Sequence, residues 1–133
     1  MKTDREPTTL LLDTHALIWW ASADSRLSRR VKRLIRDDGT RVFVSAASAW
    51  EIATKVRLGK LDWNSPGSLE SYCVGQAFDL LPVAFAHGEK AGSWLQNHGD
   101  PFDRILAAQS QIEGLPLATN DAKIDLFGVR TFW

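Results

Sequence analysis

The sequence is poor in cysteine and histidine, has no long apolar run and carries no excess charge of either sign. A single cysteine, Cys73, among 133 residues excludes an internal disulfide and a cysteine-built zinc site, and with them stapled secreted scaffolds and zinc fingers. Cys73 is expected to fill core space. The longest strongly apolar runs, at 10–12 and 16–21, fall far short of the roughly 20 residues needed to cross a bilayer. The polar start Met1-Lys2-Thr3-Asp4-Arg5-Glu6 does not resemble a secretory leader, so a cytoplasmic location without membrane association is expected. The 16 basic side chains balance 16 acidic ones, which argues against a protein that merely coats nucleic acid. What is present is 44% apolar residues, enough for one compact domain with a metal-free core. The charge is uneven: residues 1–66 hold 12 basic and 8 acidic side chains and residues 67–133 hold 4 and 8. That distribution allows a basic wall beside an acidic pocket.

Short apolar runs alternate with helical patterns along the whole chain. Thr9-Leu10-Leu11-Leu12 reads as a buried strand that ends at Asp13, and Thr14 is the expected cap of a helix over 15–21. Ser28 opens a helix with Leu27, Val31, Leu34 and Ile35 on one face; Arg29, Arg30, Lys32, Arg33 and Arg36 on the other read as a solvated face. A second strand over 41–44 leads to a helix capped by Ser45 or Ser48 and running to about Leu58. Its apolar residues surround the axis, which predicts burial on all sides, with Glu51 in their midst. Helices over 68–76 and 87–95 flank a strand within 78–83. Asp100-Pro101-Phe102-Asp103 combines an N-cap, a first-turn proline and an acidic third residue, and so opens a helix over 101–113 that Gly114 ends. Strands over 115–119 and 129–133 close the chain, and Asp121 follows the first of these as Asp13 follows the first strand. This alternation predicts a three-layer α/β/α sandwich around a parallel sheet, whose ligands bind beyond the carboxyl ends of the strands where the strand order reverses.

Taken singly, each acid fits a helix cap: Asp13 and Asp121 after their strands, Asp103 and Glu51 as third residues of capping boxes. Taken together, two acids at strand ends and one in a buried helix need a counter-charge, because an unpaired buried carboxylate costs several kcal/mol. A divalent cation supplies it. Oxygen donors without cysteine and with few histidines favour Mg²⁺ or Mn²⁺ over zinc. A phosphatase with an aspartyl nucleophile would want an acid where His15 stands, and no phosphate-cradling glycine loop or dinucleotide fingerprint occurs.

Four ordered segments carry a resemblance: Leu10-Leu11-Leu12-Asp13-Thr14-His15, Ser45-Ala46-Ala47-Ser48-Ala49-Trp50-Glu51-Ile52, His98-Gly99-Asp100-Pro101-Phe102-Asp103-Arg104 and Leu117-Ala118-Thr119-Asn120-Asp121. They resemble the motifs of the PIN-domain ribonucleases, in particular the VapC toxins of type II toxin–antitoxin pairs. The resemblance implies a PIN domain over 9–133 behind a polar extension over 1–8, and a five-stranded parallel sheet. It further implies a Mg²⁺-dependent endoribonuclease, a homodimer, an RNA substrate and a cognate antitoxin that blocks the site. Asp13, Glu51, Asp103 and Asp121 match the family's acidic quartet and are the expected catalytic and metal-binding residues. Thr14, Ser45 and Thr119 match polar positions near the family's site, and Lys55 and Arg104 are candidates for substrate phosphates, as are Arg57 and Lys60. Asp100 is kept as the N-cap, and His15 and His98 are read as positional because neither has an evident partner in the sequence. Asn120 departs from a position where relatives often carry a basic residue, which implies weaker substrate contact there. Trp19 and Trp20 point about 100° apart in a short helix, so one is expected exposed, forming with the 27–35 helix a groove for an antitoxin helix. The alternatives are a housekeeping RNA-processing PIN nuclease, which would usually carry further domains, and an inactive PIN-like regulatory module, against which all four acids stand.

Overall fold

A computed structural model of the chain describes residues 6–133, so residues 1–5 of the extension expected over 1–8 lie outside the described residues. Strand β1 (Thr9–Leu12) forms at the leucine run. Leu10 and Leu12 enter one core and Leu11 the other, all fully buried, which is why a strand covered on both faces reads as continuously apolar. Helix α1 (Thr14–Ala21) follows at once, and Asp13, rather than Thr14, caps it, its carboxylate accepting the Ala16 N–H at 2.7 Å. Thr14 is already the first helical residue. Helix α2 (Arg29–Arg36) is capped by Ser28, buries Val31 and Leu34 and turns its arginines outward; Arg30 and Arg33 pair with Glu6.

Strand β2 (Arg41–Ser45) leads into α3 (Ala46–Arg57), with Ser45 as its cap. The all-round burial expected of α3 is replaced by burial on one side: Ala47, Ser48, Glu51 and Ile52 face inward, whereas Trp50 and Val56 are exposed. Helix α4 (Leu69–Gly75) and strand β3 (Asp79–Leu81) come next. Cys73 lies in the core as expected, and burial pushes its thiol pKa up. Helix α5 (Phe85–Ser93) begins two residues before the expected start, because His87 Nδ1 accepts the Ala84 N–H at 2.8 Å and pins the first turn. Helix α6 (Pro101–Glu113) has the expected bounds, with Asp100 at its start and Gly114 at φ 68° at its end. That left-handed conformation costs glycine no Cβ clash. Strand β4 (Leu117–Ala118), a 3₁₀ turn at Ala122–Phe127 and strand β5 (Thr131–Phe132) complete the chain.

The five strands pair in the order β3-β2-β1-β4-β5, parallel throughout. The chain moves outward from β1 to β3, and α5 and α6 then carry it back to the other side of β1. Because parallel crossovers are right-handed, this reversal puts helices on both faces. One core lies under α1, α2 and α4 and the other under α6 and the 3₁₀ turn. The three-layer architecture is the expected one, and its switch point falls between β1 and β4. Among the described residues, no helix is long and apolar enough to cross a membrane.

Candidate active site

The switch point opens into a cleft of about 340 Å³ lined by Asp13, Glu51, Asp100, Asp103 and Asp121, with Lys55 and Lys60 on its rim. Each acid arrives by a different local device. Asp13 is delivered by the end of β1, and its own N–H donates to the Ala118 carbonyl at 3.1 Å, tying it to β4. Glu51 projects from the buried side of α3, where Lys55 Nζ stands 3.1 Å from its Oε2. Asp103 sits in the first turn of α6. Asp121 follows β4, donates its N–H to Thr119 Oγ1 at 3.1 Å and caps the 3₁₀ turn through the Lys123 N–H at 2.9 Å.

Bringing these carboxylates together out of water raises the cost of their charges. Burial pushes Asp13 up to about 6, assisted by the charges of Glu51 and Asp121, with the Ala16 N–H and the Thr119 hydroxyl acting against it. Burial also raises Asp103 to about 6, with Asp100 and Asp121 adding to the shift and His98 opposing it. The cluster would be relieved by a cation. Donor atoms of His98, Asp103 and Asp121 lie within 4.8 Å of one another, a spacing and a mostly oxygen donor set that fit a small divalent ion.

His98 thus does have a partner, and it belongs to the site: its Nε2 is 2.9 Å from Asp103 Oδ2. The signal available in sequence was its place five residues before Asp103, separated from it by a glycine and a proline turn. Thr14 is buried and donates to Ser48 Oγ at 3.0 Å, so it couples α1 to α3 beside the cleft. Thr119 meets Asp13 and Asp121. Two expected substrate residues stand elsewhere. Ser45 is spent on capping α3 and lines a separate cavity with Leu80 and Pro82. The Arg104 guanidinium turns away from the cleft to donate to the main-chain carbonyls of Ala91, Trp94, Gln96 and His98 at 2.5–3.0 Å. Arg104 is the clamp of the loop that carries His98.

The tryptophan pair also departs from expectation. Trp19 is buried, and Trp20 is half-buried with its indole N–H donating to Gln76 at 2.9 Å. The groove beside Trp19 is walled by Ile18, Leu61, Trp63 and Tyr72 rather than by α2. His15 stacks on Trp19 at 5.5 Å and also lines the acidic cleft, so groove and cleft adjoin.

A five-stranded parallel sheet with helices on both faces is consistent with the PIN-domain fold. The family model for that domain matches residues 10–129, and the chain belongs to this family. Nucleases of the family are in general divalent-metal dependent. The chain is similar to ribonuclease VapC22 of Mycobacterium tuberculosis, with 27% identity over 124 residues, covering 88% of this chain and 90% of the relative. Among solved structures it resembles VapBC2 from Rickettsia felis bound to a promoter DNA fragment, with a TM-score of 0.64 at 15% identity over 91% of this chain and 92% of the other. It also resembles FitAcB from Neisseria gonorrhoeae, with a TM-score of 0.61 at 20% identity over 93% and 96%. At these identities the structural likeness speaks for the fold.

Proposed function

We propose that this protein is a cytoplasmic endoribonuclease that uses Mg²⁺, or Mn²⁺ in its place, and serves as the toxin of a type II toxin–antitoxin pair. The observation that carries the reading is the convergence of Asp13, Glu51, Asp103 and Asp121 in one cleft, two of them with carboxyls raised to about 6. Such a cluster is unfavourable by itself and favourable around a cation. The similarity to a VapC ribonuclease and to toxin–antitoxin complexes supports the substrate and the partner.

His98, Asp103 and Asp121 would hold the ion, with Asp13 and Glu51 beside them. When bound, the ion neutralises the cluster and polarises a phosphodiester oxygen. The chain's own groups do the rest. Asp13 is fixed by the Ala16 N–H, and Glu51 is oriented by Lys55 at 3.1 Å, so a carboxylate oxygen is available to orient an attacking water and take its proton. Lys55 and Lys60 on the rim attract the phosphate backbone. Four acids set aside for the ion leave 12 acidic against 16 basic side chains, so the loaded protein does not repel RNA. The groove walled by Trp19, Trp63 and Tyr72 is the proposed seat of an antitoxin helix, since aromatic anchors dominate such contacts. The adjoining cleft then lets an antitoxin cation reach the acids. A homodimer, and a PIN domain over 9–133, complete the proposal.

The test is cleavage of single-stranded or looped RNA by the purified protein. Cleavage is expected with Mg²⁺ or Mn²⁺, and its loss in chelator or in Asp13→Asn; undiminished cleavage in excess chelator would overturn the proposal.

A further inference from the structure

Beside the cleft stands an aromatic pair, Trp50 exposed and Phe102 half-buried, that nothing in the chemistry of the acids uses. Trp50 is 66% exposed. Its ring meets that of Phe102 edge to face, with centroids 4.9 Å apart at 72°. Phe102 lines the cleft. The pair bridges α3 and α6 at the two positions immediately preceding Glu51 and Asp103. Along α3 and its C-cap, Trp50, Thr54 and Leu58 recur at a spacing of four and therefore share a face; Thr54 and Leu58 line the cleft, and Leu58 is exposed as well.

A large indole left in water forfeits the apolar burial that six tryptophans in a small domain would otherwise contribute. Here its orientation is nevertheless fixed by Phe102. An edge-to-face contact uses only one ring face of the pair, so a flat face remains for a third ring. Lys55 and Lys60 lie along the same rim, which pairs a cationic track with an aromatic platform, the combination that holds unpaired nucleotides. We propose that Trp50, braced by Phe102, is a positioning residue that stacks on an unpaired RNA base next to the phosphate presented to Glu51 and Asp103. This rests on the ribonuclease reading above and adds to it the residue that engages a base of the single-stranded substrate.

The test compares the wild-type protein with Trp50→Ala and Trp50→Phe in binding to a 5′-labelled oligoadenylate of about 12 nucleotides, with inorganic polyphosphate as a polyanion that has no bases. Loss of one base–aromatic stack predicts that Trp50→Ala weakens oligoadenylate binding roughly 5- to 100-fold. It should leave polyphosphate binding as in wild type, and Trp50→Phe should restore most of the oligoadenylate affinity. Unchanged oligoadenylate affinity in Trp50→Ala would overturn the proposal, as would an equal loss toward polyphosphate. A change of oligomeric state in sedimentation without a change in RNA affinity would also overturn it, assigning Trp50 to a protein contact. If wild type binds oligoadenylate in a Trp50-dependent way yet cleaves no RNA with any divalent ion, the nuclease reading falls and the stacking site stands; if it binds no RNA, both fall.

Discussion

His98 Nε2 lies 2.9 Å from Asp103 Oδ2, joining the loop before α6 to the first turn of that helix where three potential ligands converge. The loop is positioned by Arg104, which also accepts nothing and donates to His98's own carbonyl at 2.8 Å. A ring nitrogen so placed orients the Asp103 carboxylate toward the proposed ion. His98→Ala is therefore expected to weaken Mn²⁺ binding by roughly 10- to 100-fold, measured by calorimetry on the folded variant. Unaltered Mn²⁺ affinity would remove His98 from the site.

Asp13 and Asp103 are both raised from 3.8 to about 6, chiefly by burial. A carboxyl whose folded pKa is raised contributes stability that is complete below pH 3.8 and is lost as the pH climbs through about 6. In chelator, the melting temperature should fall between about pH 4.5 and 7.5. Asp13→Asn keeps an oxygen for the Ala16 N–H and removes the charge, so at the upper pH it should melt above wild type. The shift at Asp13 corresponds to at most ~3 kcal/mol, and the difference should close toward pH 4. Excess Mn²⁺ should raise the wild type more than the variant. A variant no more stable than wild type at pH 7.5 would contradict the charge argument.

Asp100 and Asp103 are neighbours with different work. Asp100 Oδ1 accepts the Phe102 and Asp103 N–H groups at 2.9 and 3.1 Å. Asp100→Ala should cost about 1 kcal/mol in denaturant unfolding and retain cleavage at temperatures where the variant is folded. Asp103→Asn, which keeps a first-turn polar side chain, should fold normally and lose cleavage. Equal losses of cleavage in both variants would place Asp100 in the site.

Arg104→Lys tests the clamp. A planar guanidinium reaches four carbonyls at once, and a compact ammonium does not. The expected cost is about 2 kcal/mol or more in urea unfolding, with faster amide exchange over 94–99. Wild-type stability in Arg104→Lys would show that the clamp is dispensable.

Trp63→Ala addresses the proposed antitoxin groove. Loss of a central aromatic anchor should weaken antitoxin binding by roughly 30-fold or more, read by titration, while the free protein still cleaves RNA. Binding at wild-type strength would move the antitoxin to another face.

Local signals were strong wherever one residue type had one reason to be in place. The leucines of β1 announce a strand covered on both faces, Ser28 and Asp100 announce helix starts, and Gly114 takes the left-handed turn that ends α6. Signals failed where a side chain's partner is distant or its competitor is adjacent. Asp13 displaces Thr14 as cap because its carboxylate reaches the Ala16 N–H from one residue earlier. The apolar residues around α3 suggest burial on all sides, yet the helix lies at the edge of the cleft and leaves Trp50 outside. Arg104 resembles a phosphate ligand in sequence, but only the fold places four carbonyls around its guanidinium.

Pattern and capping act over a few residues, so the alternation of strands and helices, the parallel sheet with its switch point and the acids that follow β1 and β4 are legible in the chain. Which donors share the cleft was decided only by the tertiary structure. The return of the chain through α5 and α6 brings Asp103 and His98 to Asp121 and Asp13, and it leaves Ser45 in a separate cavity. Distances between groups far apart in sequence depend on how whole layers pack, and that information resides in no single segment.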